Sequence, residues 1–447
     1  MFTKDKSFYK TFLRLCLALM LEQAVILSVN LADNIMLGRY TQQALSGVAA
    51  VNQIQFVYQQ LVYGIGNAVI MLGSQYWGQK RTGEIRKIAS VGIRFEILLA
   101  VVLFAAVSFF PQPCVRVFTP NKDYISEGMK YLNIMRFSYL FFALTAVMLS
   151  SLRVVESVKI ALTVSVISLV VNITINFLLI DGVVEMGVEG AAIGTLVARV
   201  VEFVIVLCYT ARDQKLRLRF TDLIHIDRVM LRDFSAACAK VLGAAALWGV
   251  ANALQTIILG NMNDDAISAQ SISNTVFLLL KVTSVGAASA ASVIIGKTVG
   301  EGDMPRLKSY TRTLQAIFCG IGVLLMGIML GIRQPILSLY AEKSTTGALK
   351  LAGQYMLIQA VVLLTMSYQM PTNGGIIRGG GDATYILILD LISVTVFVGL
   401  AALGAFVWTW DVVVIIMILN VDQVLKCIPA AIYSNSYKWV KKLTRES

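Results

Sequence analysis

The stretch Ile35–Gly78, IMLGRYTQQALSGVAAVNQIQFVYQQLVYGIGNAVIMLGSQYWG, is met again at Ile257–Gly300, as IILGNMNDDAISAQSISNTVFLLLKVTSVGAASAASVIIGKTVG. At a fixed offset of 222 residues, without gaps, nine of the 44 positions are identical, more than composition alone gives. Gly38 answers Gly260, Asn52 answers Asn274, Gly64 answers Gly286 and Gly78 answers Gly300. Further on, Leu152-Arg153 answers Ile377-Arg378, each pair closing an apolar run. About six apolar runs separate the copies, so both point the same way. Such a parallel repeat, about an axis along the membrane normal, underlies several transporter folds. It predicts two six-helix bundles with a substrate cavity between them.

The composition places the repeat in a membrane. Only 14% of residues are charged and 57% are hydrophobic, with a mean hydropathy of +0.74. Soluble domains carry about 25% charged residues. Many apolar runs reach the ~20 residues that a spanning helix needs. Backbone groups in lipid must bond within their own segment, so helices are expected. The chain lacks the short alternating segments of a membrane β-barrel. About twelve spans fit, near 10–38, 46–76, 88–110, 127–152, 159–180, 188–211, 235–260, 267–296, 311–333, 351–377, 384–408 and 411–436. The fold class is therefore an all-α membrane protein of two parallel-repeat bundles. Residues 1–211 form the first bundle, 212–234 a connecting loop with amphipathic character, and 235–447 the second bundle with a basic tail.

Charge supplies orientation. The net charge of +12 sits in connections between spans, so it reads as topology and not as nucleic-acid binding. One set of connections holds 25 Lys and Arg residues and the opposite set eight. The positive-inside rule puts the richer set, with both termini, in the cytoplasm of a cell-membrane protein. The run after Met1–Arg14 continues past Asp33 without a small-residue cleavage site and reads as a span, not a signal peptide.

Several enzyme classes find no footing. The six cysteines are scattered and form no C-x-x-C pair, and the single histidine, His225, lies in a loop. Neither a metal cofactor nor a metalloprotease motif is expected. Gly296-Lys297-Thr298 has a P-loop ending, but the glycine required five positions earlier is Ala291. Transport energy should come from an ion gradient. A membrane-embedded enzyme or a scaffold is the alternative from another class, and neither needs a duplicated bundle.

The chain resembles the MATE (multidrug and toxic compound extrusion) family of the MOP superfamily. The resemblance rests on Asn30-Leu-Ala-Asp33-Asn-Ile-Met-Leu-Gly38-Arg39, Gln75-Tyr-Trp-Gly78, Gly187-Val-Glu-Gly190-Ala-Ala-Ile-Gly-Thr195, Arg378-Gly-Gly-Gly-Asp382 and Lys438-Trp439. It implies two bundles in a V shape. It implies a monomer that exports small organic, often cationic, compounds in exchange for inward H⁺ or Na⁺, with membrane lipid around it and no cofactor. A lipid-linked glycan flippase of the same superfamily is the alternative. Its pyrophosphate substrate calls for several cavity cations, and few are intramembrane here, chiefly Arg199, Lys240, Lys281 and Lys426.

Asp33 leads the candidate site, because a carboxylate in hydrocarbon is costly and should face a cavity. Asn172 and Asn176 share a helix face four residues apart, roughly 20 and 26 Å above Lys159. Asp33 and Thr195 belong at a similar depth. The four offer oxygen ligands to Na⁺, or Asp33 takes a proton. DinF-like members often carry a second acid where Asn176 stands, and NorM-like members carry acids in helices seven and ten. Neither pattern is present, since spans seven and ten offer Gln255, Gln359 and Gln369. Glu22, three turns from Asp33, is a candidate cavity acid or an interfacial one near Arg14. Lys281 and Asp390 are expected at comparable depths in the second bundle, as an ion pair or as cavity residues with Gln255. Arg199/Glu202 and Asp422/Lys426 have the spacing of local ion pairs. Arg153 and Arg378 read as loop anchors, and Pro371 should kink span ten.

Overall fold

The computed structural model describes residues 2–119, 121–180, 185–218, 222, 227–260, 262, 264–340 and 345–445, and the backbone alone at residues 256, 260, 264 and 267. The helices are α1 (Lys6–Tyr40), α2 (Gln42–Gly78), α3 (Thr82–Phe109), α4 (Pro111–Arg116), α5 (Lys122–Met135), α6 (Ser138–Val154), α7 (Lys159–Leu179) and α8 (Val188–Arg212). They continue as α9 (Arg228–Gly260), α10 (Asp264–Glu301), α11 (Met304–Leu339), α12 (Thr346–Pro371), α13 (Ala383–Ser393), α14 (Gly399–Phe406), α15 (Val412–Leu425) and α16 (Cys427–Ser436). Residues 219–221 and 223–226 of the expected amphipathic segment between Arg212 and Asp233 lie outside the described residues.

Among the described residues ten helical stretches are long and apolar enough to cross a membrane, and α5 with α6 makes an eleventh. That pair is bent by 55°, where one straight span was expected over 127–152. α5 ends at Met135, whose carbonyl accepts the Ser138 hydroxyl at 2.7 Å, and α6 restarts from there. The remaining expected span is α2. Its 37 residues are long enough, but Asn52, Gln53, Gln55, Gln59, Gln60, Asn67 and Gln75 dilute its apolar character. α2 is instead packed by protein, against α3, α5 and α6. Gly47 of α2 and Gly128 of α5 let the two backbones touch, since a Cβ on Gly47 would stand 2.7 Å from the Tyr124 carbonyl oxygen. Membrane helices use small residues this way.

Contacts divide the chain into two compact units, Leu21–Leu242 and Met1–Met20 with Gly243–Ser447. The division differs from chain order at one place. The first turns of α1 belong with the second unit, where Phe8 packs on Tyr310 and Asp5 pairs with Arg306.

Within the second unit, Pro371 ends α12. The helix does not stop but widens into a π-helical turn over Thr372–Ile377. Proline has no N–H to give the preceding turn, and the wider turn absorbs the mismatch. A second π-helical turn, Val394–Val398, joins α13 to α14.

The tail docks on the turn that follows. Trp439 is fully buried, donates its indole N–H to the Ser434 carbonyl at 2.7 Å and lies against Gly380. Asp382 bonds to Lys441 at 2.8 Å and accepts the Tyr433 hydroxyl at 2.6 Å. Trp439→Ala is expected to cost about 3–5 kcal/mol, the usual range for a buried aromatic, read as a lowered thermal midpoint of the purified protein. Burial pushes the Asp382 carboxyl up, but Lys441, Tyr433 and the Tyr385 N–H together hold it below the ordinary carboxylate value. A depressed native pKa stabilises the dock fully above about pH 4, and this is lost as pH falls through the native pKa. Hydrogen-exchange protection in residues 437–445, taken relative to the intrinsic rate at each pH, should therefore fall in acid, and Asp382→Asn should flatten that dependence.

Candidate functional site

The first unit has a polar interior built from three helix stripes. α7 contributes Ser165, Ser168, Asn172 and Asn176, all buried, at the spacing of one helix face. α8 contributes Thr195, Arg199 and Glu202 in the same way. α1 contributes Glu22, buried, and Asp33, partly buried, while Asn30 between them is exposed.

The four residues expected to converge do so. Asp33 Oδ1 accepts the Asn176 amide N–H at 2.5 Å. The same amide nitrogen lies 3.3 Å from Asn172 Oδ1, and Asn172 Nδ2 lies 3.3 Å from Thr195 Oγ1. Asn176 Oδ1 is buried with no hydrogen-bond partner among the described residues. It points at Gly194, where a Cβ would land on it. Gly194→Ala should therefore push the Asn176 amide off Asp33. The overpacking is expected to cost about 1–3 kcal/mol, read as a lowered thermal midpoint of the purified protein.

Asn30, Asn172, Thr195, Arg199 and Glu202 line a cavity of about 20 Å³. That is room for about one water or one small ion, and too little for an organic amphiphile.

Each nearby cation has its carboxylate. Arg199 pairs with Glu202 at 2.8 Å and stands over the Phe142 ring at 4.8 Å, as their spacing suggested. Arg153 pairs with Glu22 at 2.5 Å, with Glu22 3% exposed. Glu22 is thus buried against Arg153, and Arg153 is more than a loop anchor.

The second unit arranges its charges differently from the expected pair. Asp390 binds Lys426 at 2.9 Å, and Lys426 also reaches Asp422 at 3.3 Å. Lys281 does not pair with Asp390. Its ammonium sits 4.5 Å above the Trp248 ring. Depth along the helices allowed a Lys281–Asp390 pair, but the faces of α10 and α13 do not present it. Gln255 donates to the Tyr355 hydroxyl at 3.3 Å, beside the Gln359–Asn274 bond at 3.0 Å.

Two residues were missed. Tyr131 of α5 is buried next to Thr195 and Asp33. No sequence pattern marks it. Glu96 of α3 is fully buried, and neither carboxyl oxygen has a hydrogen-bond partner among the described residues. An acid inside span three was a visible signal, by the same reasoning that singled out Asp33.

Comparison with known proteins gives one consistent result. A family model described as MatE matches residues 18–178 and again 243–403, once in each half of the repeat. The "Uncharacterized transporter YisQ" of Bacillus subtilis is 19% identical over 322 residues, 71% of this chain and 70% of its own. The "Probable multidrug resistance protein NorM" of Rhizobium meliloti is 23% identical over 386 residues, 83% and 81% of the two chains. The solved outward-facing structure of a multidrug resistance MATE transporter of the MOP superfamily superposes with a TM-score of 0.88 at 18% identity, covering 100% of each chain. At that identity the likeness is one of fold.

Proposed function

Because this chain belongs to the MATE family of multidrug efflux transporters, we propose that it exports amphipathic organic compounds bearing a cation in exchange for an inward-moving proton bound at Asp33. The observation that carries the reading is the surroundings of the Asp33 carboxyl: one amide donor at 2.5 Å, from Asn176, and beyond it the neutral Asn172–Thr195 pair. A carboxyl so enclosed is costly to leave charged unless something compensates. Substrate arrival, proton loss and reopening then become linked by differential affinity. The amide turns its nitrogen to Asp33, the arrangement that suits a carboxyl exchanging a proton.

Sodium is the second reading, and one observation favours it. Asn176 Oδ1 has no partner among the described residues. Turning that amide would set its oxygen beside those of Asp33 and Asn172, with Thr195 behind Asn172, and a hard cation prefers oxygen ligands. The transporter acts as a monomer in the cell membrane, as the family resemblance implies, and the basic-loop asymmetry supports cytoplasmic termini. The test is efflux of a fluorescent cation from reconstituted vesicles with separately imposed proton and sodium gradients. Proton coupling requires efflux under the first gradient and none under the second. Efflux driven by neither gradient overturns the reading.

A further inference from the structure

Lys281 lies at the middle of α10, seventeen residues from its first residue and twenty from its last. At ~1.5 Å per residue both ends are roughly 25–30 Å away, so the helix outruns the ~30 Å hydrocarbon core and a residue midway along it sits well inside that core. A bare ammonium cannot rest against hydrocarbon there. The side chain is nevertheless only half-buried, and Trp248 beside it is 36% exposed. The face they share is therefore one that water or a ligand reaches.

No carboxylate among the described residues pairs with Lys281, and Asp390 is taken by Lys426. Trp248 attracts the ammonium through its ring face but leaves the positive charge in place. The contrast with the first unit is sharp, where Arg153 and Arg199 each hold a carboxylate.

We infer that Lys281 and Trp248 form a half-site for the anionic group of an amphipathic substrate, the ammonium taking a carboxylate or sulfonate while the indole packs the adjoining apolar body. This rests on the efflux reading above and narrows its substrate class to organic zwitterions: a cation with a carboxylate on the same scaffold. The incoming anion supplies the countercharge that the fold withholds. Leu278, exposed on the same helix three residues before Lys281, adds apolar surface.

The test uses two dyes of one scaffold, rhodamine 110 with its free carboxylate and rhodamine 123, its methyl ester. Binding to the purified full chain is followed by fluorescence anisotropy. Lys281→Met should weaken rhodamine 110 about tenfold and leave rhodamine 123 within about twofold, and Lys281→Arg should keep both near the parent values. Equal loss of both dyes, no loss of either, or a parent that does not bind rhodamine 110 overturns the inference. Asp33→Asn is assayed beside these for gradient-driven transport of rhodamine 123. If it still transports while Lys281→Met separates the dyes, the coupling reading falls and this one stands.

Discussion

Asp33→Asn is expected to reduce gradient-driven efflux to the leak of protein-free vesicles while leaving the protein folded. An asparagine carbonyl oxygen can accept the Asn176 N–H that Asp33 Oδ1 accepts now. The hydrogen-bond geometry survives, and the thermal stability should change by less than about 1 kcal/mol. What is lost is the ability to gain and shed a charge. Asp33→Ala would confound the two, since it also strands a buried amide. Substrate binding should persist in Asp33→Asn, because the substitution keeps the side chain's shape and its hydrogen bond to Asn176. Efflux and binding measured on one preparation separate these effects.

Arg153→Met is expected to destabilise the fold strongly. It leaves Glu22, 3% exposed, with an uncompensated charge in the interior. Removing one partner of a buried pair costs about 3–5 kcal/mol. Removing both is far milder, so the double variant Glu22→Gln/Arg153→Met should recover most of the loss. A double-mutant cycle on thermal unfolding in detergent gives the coupling directly. Additive effects would mean that the contact contributes nothing and that Glu22 is free to meet substrate.

What the sequence disclosed follows from what helices make regular. A fixed rise per residue puts Asp33, Asn172, Asn176 and Thr195 at one depth, and the i,i+4 spacing puts both asparagines on one face. Hence the cluster was legible before any coordinates. The same reasoning matched the depths of Lys281 and Asp390 but could not fix which way each helix is turned. The structure gives Asp390 to Lys426 instead. Partner choice across distant segments was hidden for the same reason. Nothing local links Glu22 to Arg153, 131 residues away. Backbone adjustments were partly legible. Pro371 announced a break in span ten, but the chemistry of proline does not say whether the helix kinks or widens, and it widens. The 55° bend between α5 and α6 has neither proline nor glycine to mark it.

The claim that organises these results is that substrate and cation move in opposite directions through one carrier, with Asp33 as the exchange point. It is tested most directly in reverse. Vesicles containing the reconstituted protein, clamped at zero potential and equal pH, are given an external dose of rhodamine 123, and internal pH is followed with a trapped indicator. Entry of the dye should drive protons out, so that the lumen turns alkaline, and this response should vanish in Asp33→Asn. Dye entry with no movement of protons would contradict the proton assignment. If internal sodium also stayed unchanged, exchange itself would be contradicted.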